Sequence, residues 1–291
     1  MICLSSSPKI PSIQSGAVYL HQQGITGKNI TVAILDSGLA QHTDISNHRI
    51  LDFQDFINYK SNPYDDFSHG THVTGILASS RIGIAPECSV IPIKILDEHG
   101  NGSTDIFIEG IKWILYQQHV YNIRIINISI GGNTLELKRE KNRLNLWVSR
   151  LWDAGLIVCC SAGNNGPRPN SIFAPGNCGK VITVGAYDGR PFTSAGPIRP
   201  YITKPEVSAP GYHILSTQPN NHYGTKNGTS MSVPFISGAC ALLLQKFPYL
   251  SNDQVKKYLI QAANSVPHLP LNQQGAGMVN LNQLLTIPSG I

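Results

Sequence analysis

The sequence has little charge: Asp, Glu, Lys and Arg make up 13% of its 291 residues, whereas 41% are hydrophobic. This balance, with 27 glycines, argues against a disordered or coiled-coil chain and favours a compact globular protein with many loops. No apolar run approaches the roughly 20 residues that a membrane-spanning helix needs. We therefore expect a soluble protein with a substantial hydrophobic core and no membrane span.

Signals for export or for nucleic-acid binding are also lacking. Residues 1–8 have neither the positively charged start nor the long apolar stretch of a secretory signal, so we expect a cytoplasmic protein, or a secreted one if the sequence is a trimmed mature domain. The net charge of +5 comes without a Lys/Arg cluster interleaved with aromatic residues, and no nucleic-acid partner is expected. The densest basic stretch, residues 138–143, is interpreted as the solvated face of a helix.

The spacing of the cysteines does not indicate a zinc site, because no Cys-x-x-Cys pair occurs. Two cysteines end one apolar run and another lies inside a second run, where free thiols behave as small hydrophobic side chains. We expect reduced cysteines rather than disulfides, which favours a reducing compartment. The six are Cys3, Cys88, Cys159, Cys160, Cys178 and Cys240.

Apolar strand-like runs alternate with helix-like segments along the chain. Predicted strands span residues 30–35, 90–96, 123–129, 155–160 and 181–185. Predicted helices span residues 69–79, 104–118 and 135–154, a segment after Ser230, and residues 253–263. Continuously apolar strands separated by helices predict a three-layer α/β fold, with a mostly parallel central sheet and helices on both faces. Ligands bind such sheets at the carboxyl ends of the strands.

Ser230 is the first candidate for chemistry. It lies in a Gly-Thr-Ser turn before an apolar run of small residues that predicts a buried helix. A serine at such a junction has an exposed hydroxyl and free neighbouring amides, which is how a nucleophile is presented beside an oxyanion site. The alternative is that Thr229 or Ser230 only caps the helix.

Three further polar residues follow strands or begin helices. Asp36 directly follows the first predicted strand, although an ordinary turn aspartate is the alternative. His69 begins the next helix, and His72 follows three residues later. The zinc-binding histidine pairs of metalloproteases are spaced by four residues with a glutamate between them, which does not match this pair. We therefore interpret His72 as a packed structural histidine. Asn164 follows another strand and is either an oxyanion donor or part of a polar turn.

Together these residues place an aspartate, a histidine, an amide donor and a serine in that order along the chain. A serine nucleophile needs a base, and the base needs a carboxylate to fix its tautomer. In this order and with its signatures VAILDSG (32–38), HGTHVTG (69–75) and GTSMSVP (228–234), the sequence resembles the subtilisin-like serine peptidases, or subtilases. The resemblance covers about residues 24–285. It is closest to intracellular or AprX-type bacterial members through PYDD (63–66) and GAGMVN (275–280).

The resemblance implies a serine endopeptidase that works through an acyl-enzyme. Ser230 would attack the scissile carbonyl, His69 would act as the base, and Asp36 would orient the imidazole. Asn164 and the Ser230 amide would bind the oxyanion, with Thr229 as support. A peptide or protein substrate would bind as an added strand. The implied substrate-binding residues are Gly100, Asn101, Gly102, Ser129, Ile130, Gly131, Gly132, Ala162, Gly163, Asn165 and Phe173; ordinary loop glycines are the alternative at both edges.

The same resemblance suggests an N-terminal segment over residues 1–23 and one catalytic domain over 24–291, acting as a monomer. Only 35 residues precede Asp36, so we expect folding without the long pro-domain of secreted subtilases, unless the chain has been trimmed. The calcium-binding loop that many members insert after the catalytic histidine is not present in residues 73–86. We therefore expect no metal, no required cofactor and no high-affinity calcium, and interpret Asp44 as a turn residue. A weak cation site near residues 175–176 stays possible but disfavoured, because Lys204 lies where the family can place an acid.

Phe173 aligns near the floor of the pocket for the residue before the cleaved bond. It predicts a restricted pocket that favours small or slender side chains. The Ala174–Pro175 bond matches a cis-proline position of the family. For the biological role, general protein turnover and dedicated removal of a leader from a precursor both stay open.

Two other classes of function compete with the peptidase. A catalytically silent binding or regulatory protein would be expected to lack part of the machinery, whereas Asp36, His69, Asn164 and Ser230 are all present. An esterase of the α/β-hydrolase type would carry Gly-x-Ser-x-Gly and the order serine, acid, histidine. The chain has Gly-Thr-Ser-Met-Ser and the opposite order, which disfavours this class.

Overall fold

The computed structural model of the protein describes residues 7–130, 138–188, 192–196 and 203–286. Within these residues the centre of the molecule is a sheet of nine strands, in the order β10-β11-β7-β6-β5-β4-β1-β3-β2. Its strands are β1 (Thr31–Asp36), β2 (Gln54–Asp55), β3 (Ser89–Lys94), β4 (Ile123–Ile128), β5 (Ile157–Ser161), β6 (Ile182–Ala186), β7 (Val207–Ala209), β10 (Ala263–Asn264) and β11 (Met278–Val279). A separate antiparallel hairpin consists of β8 (Ile214–Gln218) and β9 (His222–Lys226).

The central sheet is parallel except where β10 pairs with β11. Strand β1 lies in its middle, with Val32 opposite Val90 of β3 on one side and Ile125 of β4 on the other. All six residues of β1 are buried, as expected for a strand that is covered on both faces. The predicted mostly parallel sheet is confirmed.

Helices cover both faces of the sheet. Crossovers between parallel strands are right-handed, and the chain steps from β1 to β3 in one direction but from β3 to β4 and β5 in the other. Helix α3 therefore lies on one face and α4 and α5 on the opposite face, while α6 packs on α3 and on β4 to β7. The helices are α1 (Pro11–Gln14), α2 (Ala17–Gln22), α3 (His69–Ala78), α4 (Thr104–Gln117), α5 (Lys138–Asp153), α6 (Thr229–Lys246), α7 (Asn252–Gln261), α8 (Leu271–Gln274) and α9 (Leu281–Thr286), with short 3₁₀ turns at Asn47–Arg49 and Pro219–Asn221.

The topology places a crevice at the carboxyl end of β1. The strand order reverses there, since β3 and β4 lie on opposite sides of β1. Loops that leave neighbouring strands in opposite directions open such a crevice, where ligands of α/β sheets bind. Asp36 is the last residue of β1 and therefore lies at this edge of the sheet.

Three other sequence predictions concern the cysteines, a membrane span and the N-terminal segment. The five described cysteines, all but Cys3, are buried and free. No helix in the described ranges is both long and apolar enough to cross a membrane. The N-terminal residues pack onto the rest of the molecule through Ala17 and Leu20, and the division at residue 23 stays a prediction.

Candidate active site

Asp36 and His69 meet at the crevice. Asp36 is 1% exposed, and its Oδ1 accepts hydrogen bonds from His69 Nδ1 at 2.7 Å and from the Ser37 amide at 2.8 Å. Burial lowers the pKa of His69 and is the largest influence, but the charge and hydrogen bond of Asp36 outweigh it, so that the pKa lies above the usual 6.5. The pair can therefore hold a proton on the imidazole more firmly than free histidine does.

The position of His69 is fixed by the loop before α3. The Gly70 amide donates to Ser37 Oγ at 2.9 Å, and Ser37 Oγ donates to Asp65 Oδ1 at 2.8 Å. A Cβ at Gly70 would lie 2.2 Å from the Gly38 carbonyl oxygen and 3.2 Å from Asp36 Cβ, so only glycine permits this approach. Sequence reasoning missed Ser37 and Asp65, although both lie within or beside the motifs that it used.

Lys94, at the end of β3, is a third residue whose role the sequence did not predict. Its side chain is fully buried, and its ammonium donates to the carbonyls of Ser37 at 2.8 Å and Leu96 at 2.7 Å and to Asp66 at 2.6 Å. The bond to Ser37 connects the backbone directly after Asp36 to the end of β3. The apolar run over residues 90–96 was a signal for its burial, but the sequence does not show which groups the ammonium contacts.

On the other side of the crevice, Asn164 is oriented by Thr229. Asn164 Oδ1 accepts from Thr229 N at 2.9 Å and from Thr229 Oγ1 at 3.1 Å, which assigns the amide orientation and leaves Nδ2 as a donor. Gly228 has φ +140°, and a Cβ there would lie 3.1 Å from Asn164 Nδ2. Ser230 follows in the first turn of α6, so that an amide donor and a serine hydroxyl are placed together.

The predicted residues line two adjoining cavities. The larger, of about 510 Å³, is lined by His69, Ser230 and both predicted substrate edges, Gly100, Asn101, Gly102, Ser129 and Ile130. The smaller, of about 170 Å³, is lined by Ser230 with Ala162, Gly163, Asn164, Asn165, Phe173 and Thr229. Gly131 and Gly132 lie outside the described residues. The described contacts include no hydrogen bond between the Ser230 hydroxyl and His69; such catalytic bonds often tighten only when substrate binds.

Comparison with known proteins identifies this arrangement. Residues 27–277 match the family described as "Subtilase family". The chain belongs to this family of serine peptidases. It is 38% identical to "Serine protease AprX" of Bacillus subtilis (strain 168), over 89% of this chain and 66% of that protein, and 34% identical to "Subtilisin E" of the same strain, over 92% and 68%. The chain therefore spans about two thirds of these relatives' length.

A solved structure gives the same result for the fold. It is described as "Crystal structure of a cold adapted subtilisin-like serine proteinase", is 25% identical to this subtilase and superposes with a TM-score of 0.72, over 88% of each chain. The predicted subtilisin-like α/β fold and the predicted family are thus confirmed. The roles of individual residues in this subtilase stay predictions.

His72 of the subtilase is a structural histidine, as predicted. It is fully buried, and its Nε2 lies 3.1 Å from the carbonyl oxygens of both Ile214 and Gly224, so it joins α3 to the hairpin. Burial, with the nearby charge of Lys226, lowers its pKa to about 3. The ring is therefore neutral at ordinary pH and donates through Nε2.

Asp44 lies in a turn, as predicted, but it is not an ordinary turn residue. It is 2% exposed, and its Oδ2 accepts from Ser79 Oγ at 2.6 Å and from Tyr223 Oη at 2.5 Å. The carboxylate thus connects the end of α3 to β9. These two hydrogen bonds could not be predicted from the sequence, because Ser79 and Tyr223 are far from Asp44 along the chain.

Lys204 lies close to the backbone of residues 175–176, where the family resemblance allows a weak cation site. Its ammonium donates to the Val181 carbonyl and to Thr183 Oγ1, both at 2.8 Å, and Thr183 Oγ1 donates to the Gly176 carbonyl at 2.6 Å. The Thr183 hydroxyl thus links the Lys204 ammonium to the Gly176 carbonyl through two successive hydrogen bonds. Among the described residues no group of three His, Cys, Asp or Glu side chains could hold a metal ion, and the cofactor prediction itself remains untested.

Proposed function

We propose that this subtilase is a serine endopeptidase that hydrolyses peptide bonds through an acyl-enzyme, with Ser230 as the nucleophile. The observation that carries the proposal is the 2.7 Å contact of His69 with Asp36 at the cleft that Ser230 also lines. A histidine in this position can take the serine proton and pass it to the leaving amine. Asp36 holds the imidazole in the tautomer with Nδ1 protonated and stabilises the imidazolium.

The oxyanion of the tetrahedral intermediate would be bound on the opposite side of Ser230. Asn164 Nδ2 and the Ser230 backbone amide are the two donors. Thr229 supports them, because it occupies Asn164 Oδ1 and, through its Oγ1, accepts from the Gly163 amide at 3.1 Å. Preorganised donors in such a site stabilise the charge that develops in the transition state.

The substrate would lie between two backbone edges. Gly100, Asn101 and Gly102 form one edge of the larger cavity and Ser129 with Ile130 the other, and main chain at both permits β-strand addition. Gly100 has φ +76°, and an added Cβ would lie 2.5 Å from the Phe67 ring. A side chain at this position would therefore clash with Phe67, so this edge presents main chain only. The side chain before the scissile bond would enter the smaller cavity beside Phe173.

The decisive experiment is labelling with a fluorophosphonate probe, which reacts with activated serines. Wild-type protein should be labelled and Ser230→Ala should not. Ser232→Ala is the matched control, because Ser232 lies in the same helix but donates to the carbonyls of Ala209 and Pro210. Labelling lost in Ser230→Ala and kept in Ser232→Ala supports the proposal. Folded wild type that neither reacts nor cleaves peptides would instead indicate the catalytically silent binding protein.

General turnover and maturation of one precursor differ in the number of sequences cleaved. Mass-spectrometric mapping on a proteome-derived peptide pool separates them: turnover predicts many unrelated sites, and maturation predicts one narrow motif. The same mapping with EDTA tests the expectation that no metal is required. Equal cleavage in both samples supports it, and loss of cleavage with EDTA contradicts it.

A further inference from the structure

Lys226 brings a positive charge next to the proposed catalytic histidine. It is the last residue of β9, and only Asn227 and Gly228 separate it from α6, whose first turn contains Ser230. Its ammonium donates to Ser68 Oγ at 3.1 Å, and Ser68 directly precedes His69. The side chain is partly exposed, so the ammonium can still contact a ligand.

The nearby carboxylates do not neutralise this charge by direct contact. Within the described part of the chain, no carboxylate lies within ion-pair distance of Lys226; Asp65 and Asp36 act on it only at longer range. Burial lowers the pKa of the Lys226 ammonium, and the charges of these two acids only partly oppose that effect. A substrate carboxylate could supply the partner that the protein does not.

Asp65 and Asp36 are both held by other groups, Asp65 through both of its oxygens and Asp36 through Oδ1 alone. Asp65 Oδ1 accepts from Ser37 Oγ and from the Ser68 amide, both at 2.8 Å, and its Oδ2 accepts from Thr71 at 2.6 Å. Asp36 is buried against His69. Turning Asp65 to Lys226 would break the bonds of the loop before α3, and turning Asp36 would break its bond to His69.

The location of Lys226 indicates the side of the substrate that it faces. Neither of the two cavities that would hold the residues before the scissile bond is lined by Lys226. His69 must pass its proton to the leaving amine, so the leaving segment has to run past His69. Lys226, bonded to the residue before His69, therefore lies where that segment would leave the site.

We propose that Lys226 determines specificity by binding an acidic side chain at the first or second position after the scissile bond. The inference rests on the proposed endopeptidase function and deepens it. An ammonium with a partly buried stem gains a charge-assisted hydrogen bond from such a side chain. A purely structural role, in which Lys226 only holds Ser68, would affect every peptide alike.

The test compares peptides that differ only at those two positions, carrying Glu, Gln or Lys, at pH 7. For wild type, kcat/KM for Glu should exceed that for Gln by about threefold to tenfold, as for a partly screened ion pair. Lys226→Met, which keeps the aliphatic stem, should bring this ratio close to one. Lys226→Glu should reverse it and favour Lys. Raising the salt concentration should reduce the wild-type ratio.

Lys257→Met is the matched control, because it removes one charge from an exposed site on α7. Its Glu-to-Gln ratio should equal that of wild type. Peptides cleaved with the same ratio by wild type and Lys226→Met would overturn the inference while leaving the endopeptidase proposal intact. Failure of wild type to cleave or to react with the fluorophosphonate would instead reject the proposed function. Probe labelling of Lys226→Met and Lys226→Glu verifies that these variants fold.

Discussion

Thr229 donates two hydrogen bonds to Asn164 Oδ1, from its amide at 2.9 Å and from its hydroxyl at 3.1 Å. The same hydroxyl accepts from the Gly163 amide at 3.1 Å. One threonine thus connects the loop after β5 to the start of α6 and decides which end of the Asn164 amide faces the serine. A donor whose orientation is fixed in advance needs no reorganisation when charge develops.

Asn164→Ala should lower kcat with little change in KM. The side chain is proposed to bind the oxyanion, which exists in the transition state and not in the bound peptide. Removal of one such donor from subtilisin, a relative of this chain, costs about 10²–10³-fold in kcat. Steady-state kinetics on one good peptide measures both parameters. A rise in KM at unchanged kcat would assign Asn164 to ground-state binding.

Thr229 offers a sharper test of the same geometry. Thr229→Val keeps the shape but removes the hydroxyl, leaving Asn164 Oδ1 and the Gly163 amide with one partner fewer. We expect kcat to fall about tenfold, because a buried hydrogen bond that loses a partner costs about 1–3 kcal/mol. Thr229→Ser keeps the hydroxyl and is the control, with kcat close to wild type. Equal losses in both variants would attribute the effect to packing instead.

The sequence predicted those features that depend on local apolar runs and short motifs. Strand β1 could be predicted because it is buried on both faces and therefore continuously apolar. The β8–β9 hairpin could not, since its second strand, His222–Lys226, is polar and largely exposed and is held by contacts such as that of His72 with Gly224. The role of Lys94 was missed for a related reason: its partners Ser37 and Asp66 are distant along the chain, and a single sequence does not reveal them.

Activity should increase with pH as His69 loses its proton, with an acid limb centred above pH 6.5. Burial lowers the pKa of His69, but the charge and hydrogen bond of Asp36 raise it by more, so the net change is upward. The imidazole must be neutral to act as the base. Asp36→Asn removes that influence, so the limb should move to lower pH while kcat falls by about 10⁴-fold. A pH profile of kcat/KM for both proteins measures this. An unmoved limb in Asp36→Asn would contradict the assignment.

The same shift makes a prediction for stability. Because the folded protein holds the His69 proton more tightly than the unfolded chain, the pair contributes stability that is fully present below about pH 6.5. That contribution should be lost as pH rises through the folded-state pKa. Urea unfolding from pH 5 to 9 should show this decline in wild type, and a smaller one in Asp36→Asn.

Glu206, which lies outside the proposed active site, should stabilise the fold. Its Oε1 lies 2.7 Å from the fully buried Lys204 ammonium and 2.8 Å from that of Lys256. Glu206→Gln leaves a buried cation without its anion, a change that costs about 3–5 kcal/mol. The loss should shrink at alkaline pH, because burial lowers the pKa of Lys204 and the unfolded chain then binds more protons. Urea unfolding of Glu206→Gln between pH 7 and 10 measures both effects.

Glu140→Gln is the control for that experiment. Glu140 pairs with Arg143 at 2.9 Å on the partly exposed α5, where an ion pair contributes about 0–1 kcal/mol. Its unfolding midpoint should therefore stay close to wild type. A Glu206→Gln midpoint equally close to wild type would show that the Lys204 cluster does not stabilise the fold.

Phe173 is expected to restrict the side chain that precedes the scissile bond. It lines the cavity of about 170 Å³ beside Ser230, and the Lys141 ammonium lies 4.9 Å from its ring centre. Wild type should cleave best after small or slender side chains. Phe173→Ala should raise the kcat/KM ratio of Phe over Ala at this position by at least about tenfold, since each methylene accommodated contributes about 1–3 kcal/mol.

A peptide library varied at this position measures the preference of each protein. Phe67→Ala is the matched control, because Phe67 lines the larger cavity and is 37% exposed, so that its loss removes an aromatic ring without enlarging the Phe173 cavity. The preference of Phe67→Ala for the side chain before the scissile bond should equal that of wild type. A strong wild-type preference for Phe or Tyr would contradict the restriction, because a ring of that size could then enter while Phe173 is in place.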